Sequence, residues 1–233
     1  MRTPVVVSWS GGKDSALLFQ HLQHDPRYEI VGLLTTVTDP YDRISIHGVR
    51  RDILRAQVAE LAVPLYEAVL PAAASNRVYE RAFVEALARM KDAMPSLQTV
   101  AFGDLFLEEV RSYRERLLAR VGWTPIFPLW GLDTGGLARR FVREGFQAIV
   151  CCVDTTQMAA AWAGRDFDAV FLDELPPDVD PCGERGEFHT CVHAGPIFPQ
   201  PIRLARGERV RREARFEYCD LLLENAGAGG AAA

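Results

Sequence analysis

An apolar strand running into Ser10-Gly11-Gly12-Lys13-Asp14-Ser15 constrains this chain more than any other stretch. Val5-Val6-Val7 supplies three β-branched residues for a buried strand. Ser10-Gly11-Gly12 makes a tight turn, and Ala16-Leu17-Leu18-Phe19-Gln20-His21-Leu22 has the apolar spacing of a helix packed on a sheet. Two glycines let backbone N–H groups approach an anion with no Cβ in the way. The helix N-terminus adds partial positive charge, Ser10 and Ser15 offer hydroxyls, and Lys13 adds a full charge. Such a turn is a phosphate site. Its spacing excludes the Walker A loop and the G-x-G-x-x-G of dinucleotide folds.

The stretch resembles the S-G-G-x-D-S signature of the PP-loop ATP pyrophosphatases. Ser10, Gly11, Gly12, Asp14 and Ser15 all match, with a strand before and a helix after. The resemblance implies that ATP is split between its α and β phosphates. It also implies that Ser10, Gly11, Gly12, Lys13, Asp14 and Ser15 grip the nucleotide.

At 233 residues the chain is one large domain or two small ones. A net charge of −5 argues against a broad nucleic-acid-binding surface. No stretch approaches the roughly 18 apolar residues of a membrane span. The first residues enter a core strand, which reads as no signal peptide. Five cysteines beside a nucleotide motif read as reduced thiols, and hence as a cytoplasmic protein.

Residues 28–37 read as a second strand, parallel to the first through a right-handed βαβ unit. Ligands of such sheets lie beyond the carboxyl ends of strands. Thr35, Thr36 and Val37 are therefore expected to read adenine through backbone groups. Residues 38–45, polar with Pro40, read as a loop before a helix at 49–61. His47 is a nucleotide contact on the ATP side, or a capping or packing residue. Residues 98–104 read as a strand ending in Gly103-Asp104. Gly103 is expected against the nucleotide; Asp104 is a Mg²⁺ ligand, a polar substrate contact or a helix cap. On the helix at 105–120, Arg111 and Arg114 share a face near its start and are expected to meet an anionic group. Residues 124–131 break regular structure and read as a domain joint. Residues 147–153 are a buried strand whose adjacent Cys151 and Cys152 point to opposite faces. Short strands are expected at 202–204 and 210–218 around Gly207.

A second informative stretch is Pro181-Cys182-Gly183-Glu184-Arg185-Gly186-Glu187-Phe188-His189-Thr190. Two glycines bracket two charges, and the run reads as a shaped loop that binds something. Glu184, Glu187 and His189 are expected to hold an ammonium, orient ammonia or act as a base. Gly183, Gly186 and Thr190 complete the substrate side. Cys182, His189, Cys191 and His193 match zinc spacing poorly. Arg209, Arg211, Arg212 and Arg215 form a basic cluster, read as the exposed face of an edge strand.

With both stretches in view, the chain is similar to the diphthine–ammonia ligase (diphthamide synthase) family of PP-loop proteins. The matching residues are SGGKDS at 10–15, His47-Gly48, FGD at 102–104, PLWG at 128–131 and CGERGEFHT at 182–190. Arg185 stands where the family pattern has Asn. The resemblance implies an α/β fold, with a Rossmann-like parallel-sheet adenine nucleotide α-hydrolase domain at 1–125. It implies a smaller C-terminal α+β substrate domain at 126–225, without the extra domains of longer eukaryotic members; residues 226–233, Gly and Ala only, read as a disordered tail. The implied chemistry adenylates a carboxylate and amidates it with ammonia. ATP and Mg²⁺ are the implied cofactors, with Asp14 and Asp104 as metal ligands and Lys13 and Asp14 catalytic. The carboxylate is one carried on a protein such as elongation factor 2; a homodimer is a further expectation. A tRNA-thiolating PP-loop enzyme and a non-catalytic nucleotide sensor are the alternatives.

Overall fold

The apolar run at the front folds as expected, and everything else is wound around it. The computed structural model describes residues 2–224, so the tail expected at 226–233 lies outside the described residues. Strand β1 (Thr3–Ser8) is followed by α1 (Lys13–His24), β2 (Tyr28–Thr38), β3 (Arg43–Ile44), α2 (Arg51–Leu61) and β4 (Leu65–Leu70). Then come α3 (Asn76–Ala93), β5 (Thr99–Ala101), α4 (Glu108–Ala119) and β6 (Thr124–Ile126). The six strands form one sheet, parallel except for β3. From β1 the chain winds outward through β2 to β4, then returns to lay β5 and β6 on β1's other side. The direction of winding reverses between β1 and β5, and a crevice opens at their carboxyl ends. This is a Rossmann-like α/β layer.

A second, antiparallel sheet follows. Helix α5 (Thr134–Arg143), β7 (Gln147–Asp154), α6 (Ala169–Glu174), β8 (Phe188–Ala194), β9 (Leu204–Arg212) and β10 (Phe216–Leu223) give the strand order β8-β7-β10-β9. One continuous apolar cluster joins the two sheets. Leu17 and Phe19 of α1 share it with Phe141, Phe167, Phe171, Phe188 and Val192. A separate cluster fills the other face of the first sheet, where Phe83, Leu87 and Met90 of α3 meet Leu117 and Leu118 of α4. Burying side chains of this size contributes about 1.5–3 kcal/mol each, which sets the two layers against each other.

Three sequence expectations are corrected. Residues 38–45 are not all loop: β2 runs on to Thr38, and β3 pairs with it at Val37–Ile44 and Thr38–Arg43. Strand β3 takes β1's side of β2 beyond the point where β1 leaves for the Ser10–Ser15 turn. Residues 124–126 are not irregular but form the edge strand β6, where Pro125 is tolerated. Gly207 does not divide two short strands; it lies within β9. The reversal comes in the three residues between Arg212 and Phe216, with Glu213 and Ala214 both at positive φ (52° and 53°) and Arg215 N donating to Arg212 O at 3.0 Å.

Candidate active site

The Ser10–Ser15 turn leaves β1 at the crevice and opens α1 at Lys13. Gly12 is the N-cap, and no side chain caps it. Gly11 has φ +75°, and a Cβ there would lie 2.6 Å from Gln57 Oε1, so glycine is required. The Gly11 carbonyl accepts from Val192 N (2.9 Å) and Gln57 Nε2 (3.0 Å). Ser15 Oγ donates to Gly12 O (2.8 Å), and Ser10 Oγ lies 3.3 Å from it.

Strand β8 of the second sheet closes over this turn. Thr190 Oγ1 accepts the backbone N–H of Lys13 at 3.0 Å. The Lys13 ammonium is buried; it ion-pairs with Asp14 at 2.8 Å, donates to the Cys182 carbonyl and sits 5.4 Å from the Phe188 ring centroid. Burial works most strongly against its charge, but Asp14, Cys182 and Glu184 together outweigh it and hold the pKa above the ordinary value. Lys13 thus lines the cavity while its charge ties the turn to the far loop.

The segment between β3 and α2 lays His47 on the turn. A Cβ on Gly12 would be 3.1 Å from His47 Cε1. The His47 ring lies 4.5 Å from the His189 ring, and its Nδ1 is buried without a partner among the described residues. Burial pushes the His47 pKa down to about 4 and that of His189 well below the ordinary value. Both rings are neutral at pH 7.

Across the crevice, the 180–187 loop is braced from within. Asp180 Oδ1 accepts from Cys182 N (2.9 Å) and Glu184 N (3.3 Å), and Asp180 Oδ2 from Thr134 Oγ1 (2.7 Å). Gly183 has φ +65°, and a Cβ there would strike Phe188 O at 2.7 Å. Glu184 extends into the cavity, where its Oε1 accepts from Leu105 N at 2.8 Å. Burial pushes its pKa up to about 7, with Asp14 and Asp104 adding to the shift.

These parts enclose a cavity of about 240 Å³. Ser10, Lys13, Asp14 and Ser15 line one side, Glu184, Gly186, His189 and Thr190 the other, and His47, Gly103, Asp104 and Arg114 lie between. A wider surface groove of about 650 Å³, beside His21, His24 and Arg140, shares none of these residues.

Several expected residues are placed differently. Thr35, Thr36 and Val37 do not line the cavity. The Thr35 hydroxyl donates to Trp9 O (2.7 Å), Thr36 O accepts from Ser45 N (3.0 Å) and Val37 is core, because β2 is flanked on both sides here. Arg111 stays outside: it pairs with Glu115 (2.8 Å) and stacks over Trp130 (4.7 Å). Arg114 turns in and meets Asp104, Nε to Oδ2 at 2.7 Å and Nη2 to Oδ1 at 3.1 Å. The first contact is off line for a directed hydrogen bond and acts as an ion contact. Glu187 does not reach the cavity. Its two oxygens accept from Asp180 N and Arg185 N, both at 2.9 Å, so it braces the loop.

The donor set fits a hard cation only in part. Asp14 Oδ1 is buried with no partner among the described residues, while Asp104 is committed to Arg114. Among the described residues, no three His, Cys, Asp or Glu side chains converge to hold a metal ion.

Three residues escaped the sequence reading. Gln57, fully buried, bridges the turn to β8. Asp180 orders the far loop. Tyr218 of β10 packs on Gly48 and donates to Ile46 O (3.2 Å). Gln57 had a signal, being polar on the apolar stripe of α2 with Ile53, Leu54 and Leu61. Asp180 before Pro-Cys-Gly is an Asx-turn signal. Tyr218 had none.

The description diphthamide synthase N-terminal domain matches residues 1–125, and diphthamide synthase C-terminal domain matches residues 133–221. A Schizosaccharomyces pombe protein named diphthine–ammonia ligase is 26% identical over 230 residues, covering 91% of this chain and 38% of that protein. The chain spans well under half the length of this curated relative. No helix among the described residues is long and apolar enough to cross a membrane.

Proposed function

The chain belongs to the diphthamide synthase family, and from that premise we propose that it is an AMP-forming ligase which adenylates a carboxylate with ATP and amidates it with ammonia. The observation that carries this is one cavity with a nucleotide turn on one wall and the Glu184 carboxylate on the other. The relative's name gives diphthine and ammonia as its substrates. For this chain the acceptor is a carboxylate of that kind, carried on a protein such as elongation factor 2.

The reaction has two balanced steps. A substrate carboxylate oxygen attacks the α-phosphorus, the Pα–O–Pβ bond breaks, and pyrophosphate leaves an acyl-adenylate. Ammonia then attacks the acyl carbon, AMP leaves, and the surplus proton passes to a base. Ser10, Ser15 and the open first-turn N–H groups of α1 face the departing pyrophosphate. Glu184, titrating near neutrality, takes the proton from the incoming nitrogen, and neutral His189 beside it is a second acceptor. Asp14, with its spare oxygen, would hold Mg²⁺, which supplies charge neutralisation on the triphosphate. Glu187 acts through the loop it braces, not on the reacting atoms. A thiol-based reading finds less support. All five cysteines are buried, and the cavity's Cys182 thiol donates to Thr134 O with its pKa raised by burial.

ATP–pyrophosphate exchange with Mg²⁺ tests this against candidate acids and tRNA. Acid-dependent exchange that Asp14→Ala abolishes is the expected result. Exchange with tRNA alone would favour base modification. ATP binding without exchange under any condition would leave a sensor.

A further inference from the structure

We infer that Tyr218 and Asp220 of β10 are positioning residues for the nucleotide turn: they hold the 43–50 strap in the shape that lays His47 on Gly12. This rests on the reading of that turn as the ATP site.

The strap does not hold this shape by local preference. His47 N donates to Ser45 O, two residues back, at 2.8 Å. The residue between them, Ile46, has φ +69°. This is the γ-turn with positive φ at its centre, a rare and strained form, on a β-branched residue. Its Ile46 side chain is 73% exposed, so no packing of that side chain fixes the turn. Such strain persists only where the surroundings over-determine it.

Strand β10 supplies those surroundings from the other sheet. The Tyr218 hydroxyl donates to the Ile46 carbonyl at 3.2 Å. Its ring lies flush on Gly48, where a Cβ would come within 2.5 Å of Tyr218 Cε1. Asp220 takes both ends of the strap. Oδ1 accepts from Arg43 Nη1 (2.8 Å) and Arg50 Nε (3.0 Å), and Oδ2 from Arg50 Nη2 (2.6 Å). Arg43 Nη1 also donates to Gly48 O at 2.7 Å, and Cys151 Sγ of β7 donates to His47 O at 3.4 Å. The strap is thus fixed at both ends and at its bend by the second sheet. His47 is its one ring that reaches the turn.

ATP affinity, measured by calorimetry with Mg²⁺, tests the inference in wild type, Tyr218→Phe, Asp220→Asn, His47→Ala and the two doubles with His47→Ala. Tyr218→Phe removes one hydroxyl and should weaken ATP about fivefold. Asp220→Asn should weaken it about tenfold or more. Neither should weaken it further once His47 is Ala, because both act through that ring. The His47 Cε1–H NMR signal of the ATP-free protein should shift in Tyr218→Phe. Losses that persist in the His47→Ala background would make these residues merely structural and overturn the inference. So would variants that bind like wild type. If Asp220→Asn unfolds, the Tyr218→Phe pair of measurements decides alone. A wild-type chain that binds no ATP sinks the nucleotide reading and this inference with it; wild-type binding with unaffected variants sinks this inference only.

Discussion

Thr190 Oγ1 accepts the backbone N–H of Lys13 at 3.0 Å, although the two residues lie 177 positions apart. Helix α1 has no side-chain cap of its own. A hydroxyl from the second sheet therefore satisfies one of the four donors that open any helix. The same contact ties β8 to the Ser10–Ser15 turn. Thr190→Val keeps the shape and removes the acceptor. It should lower unfolding free energy by about 1 kcal/mol in urea titrations, and Thr190→Ser should restore it. An unchanged midpoint would mean that the bond contributes nothing beyond geometry.

His47 and His189 give the fold an acid-sensitive joint. Folding lowers both pKa values, His47 to about 4 from 6.5. Between those pH values the unfolded chain binds the extra proton and the folded chain does not. Stability is therefore complete above about pH 6.5 and is lost as pH falls towards 4. Each such proton contributes a slope of roughly 1.4 kcal/mol per pH unit. His47→Gln should remove up to about one proton from the slope of stability against pH in that window. A slope identical to wild type would show that His47 stays charged in the folded chain.

Glu184 works in the opposite sense. Its folded pKa, raised to about 7 from 4.5, means that the folded chain binds the proton more tightly. Its contribution to stability is present at low pH and declines as pH rises from 4.5 through 7. Glu184→Gln should therefore be more stable relative to wild type at pH 8 than at pH 5. If Glu184 is the base of the proposed reaction, amide formation should have a rate that climbs with pH and levels off above about 7. Glu184→Gln should erase that limb and slow the step by about 10²–10⁴-fold, with ATP affinity nearly unchanged. A retained limb at the same pH would assign the proton to another group.

Motif-dense stretches were legible in the sequence because each places its chemistry locally. The Ser10–Ser15 run and the 182–190 run both specify a turn and the atoms it presents, and the structure brings the two runs into one cavity. Contacts between elements were not legible. Nothing local says that β3 would flank Val37 and Thr38, or that Ser45 N would take the Thr36 carbonyl, at the strand end where adenine is expected. Nor does local spacing say which of Arg111 and Arg114, on one helical face, turns inward; Asp104 decides it by pairing with Arg114. Glu187 misled because its composition suits a reactive group, whereas the loop's own backbone N–H groups use both its oxygens. The arginine run at 209–215 is partly spent on Glu217 and Asp154.

Gln57, a polar residue on the apolar stripe of α2, is legible in the sequence and carries a sharp expectation. It is 0% exposed, on a helix face otherwise apolar. A polar side chain survives there only if every hydrogen bond is made. Its Oε1 accepts from Trp9 Nε1 at 3.0 Å, and its Nε2 donates to Gly11 O at 3.0 Å and Val192 O at 2.7 Å. One amide thus joins the end of β1, the Ser10–Ser15 turn and β8. Gln57→Leu would strand the Trp9 indole N–H and take the side-chain donor from Val192 O, while Gly11 O would keep only Val192 N. Each buried group so stranded costs about 1–3 kcal/mol, and the loss should total roughly 3 kcal/mol. At about 2–4 °C per kcal/mol for a chain of this size, the thermal midpoint should fall by about 6–12 °C. Gln57→Glu should be worse, since a carboxylate keeps the Trp9 bond but donates to neither carbonyl and buries a charge. Leu and Glu variants that both melt like wild type would show that the bridge does not hold the turn to the second sheet.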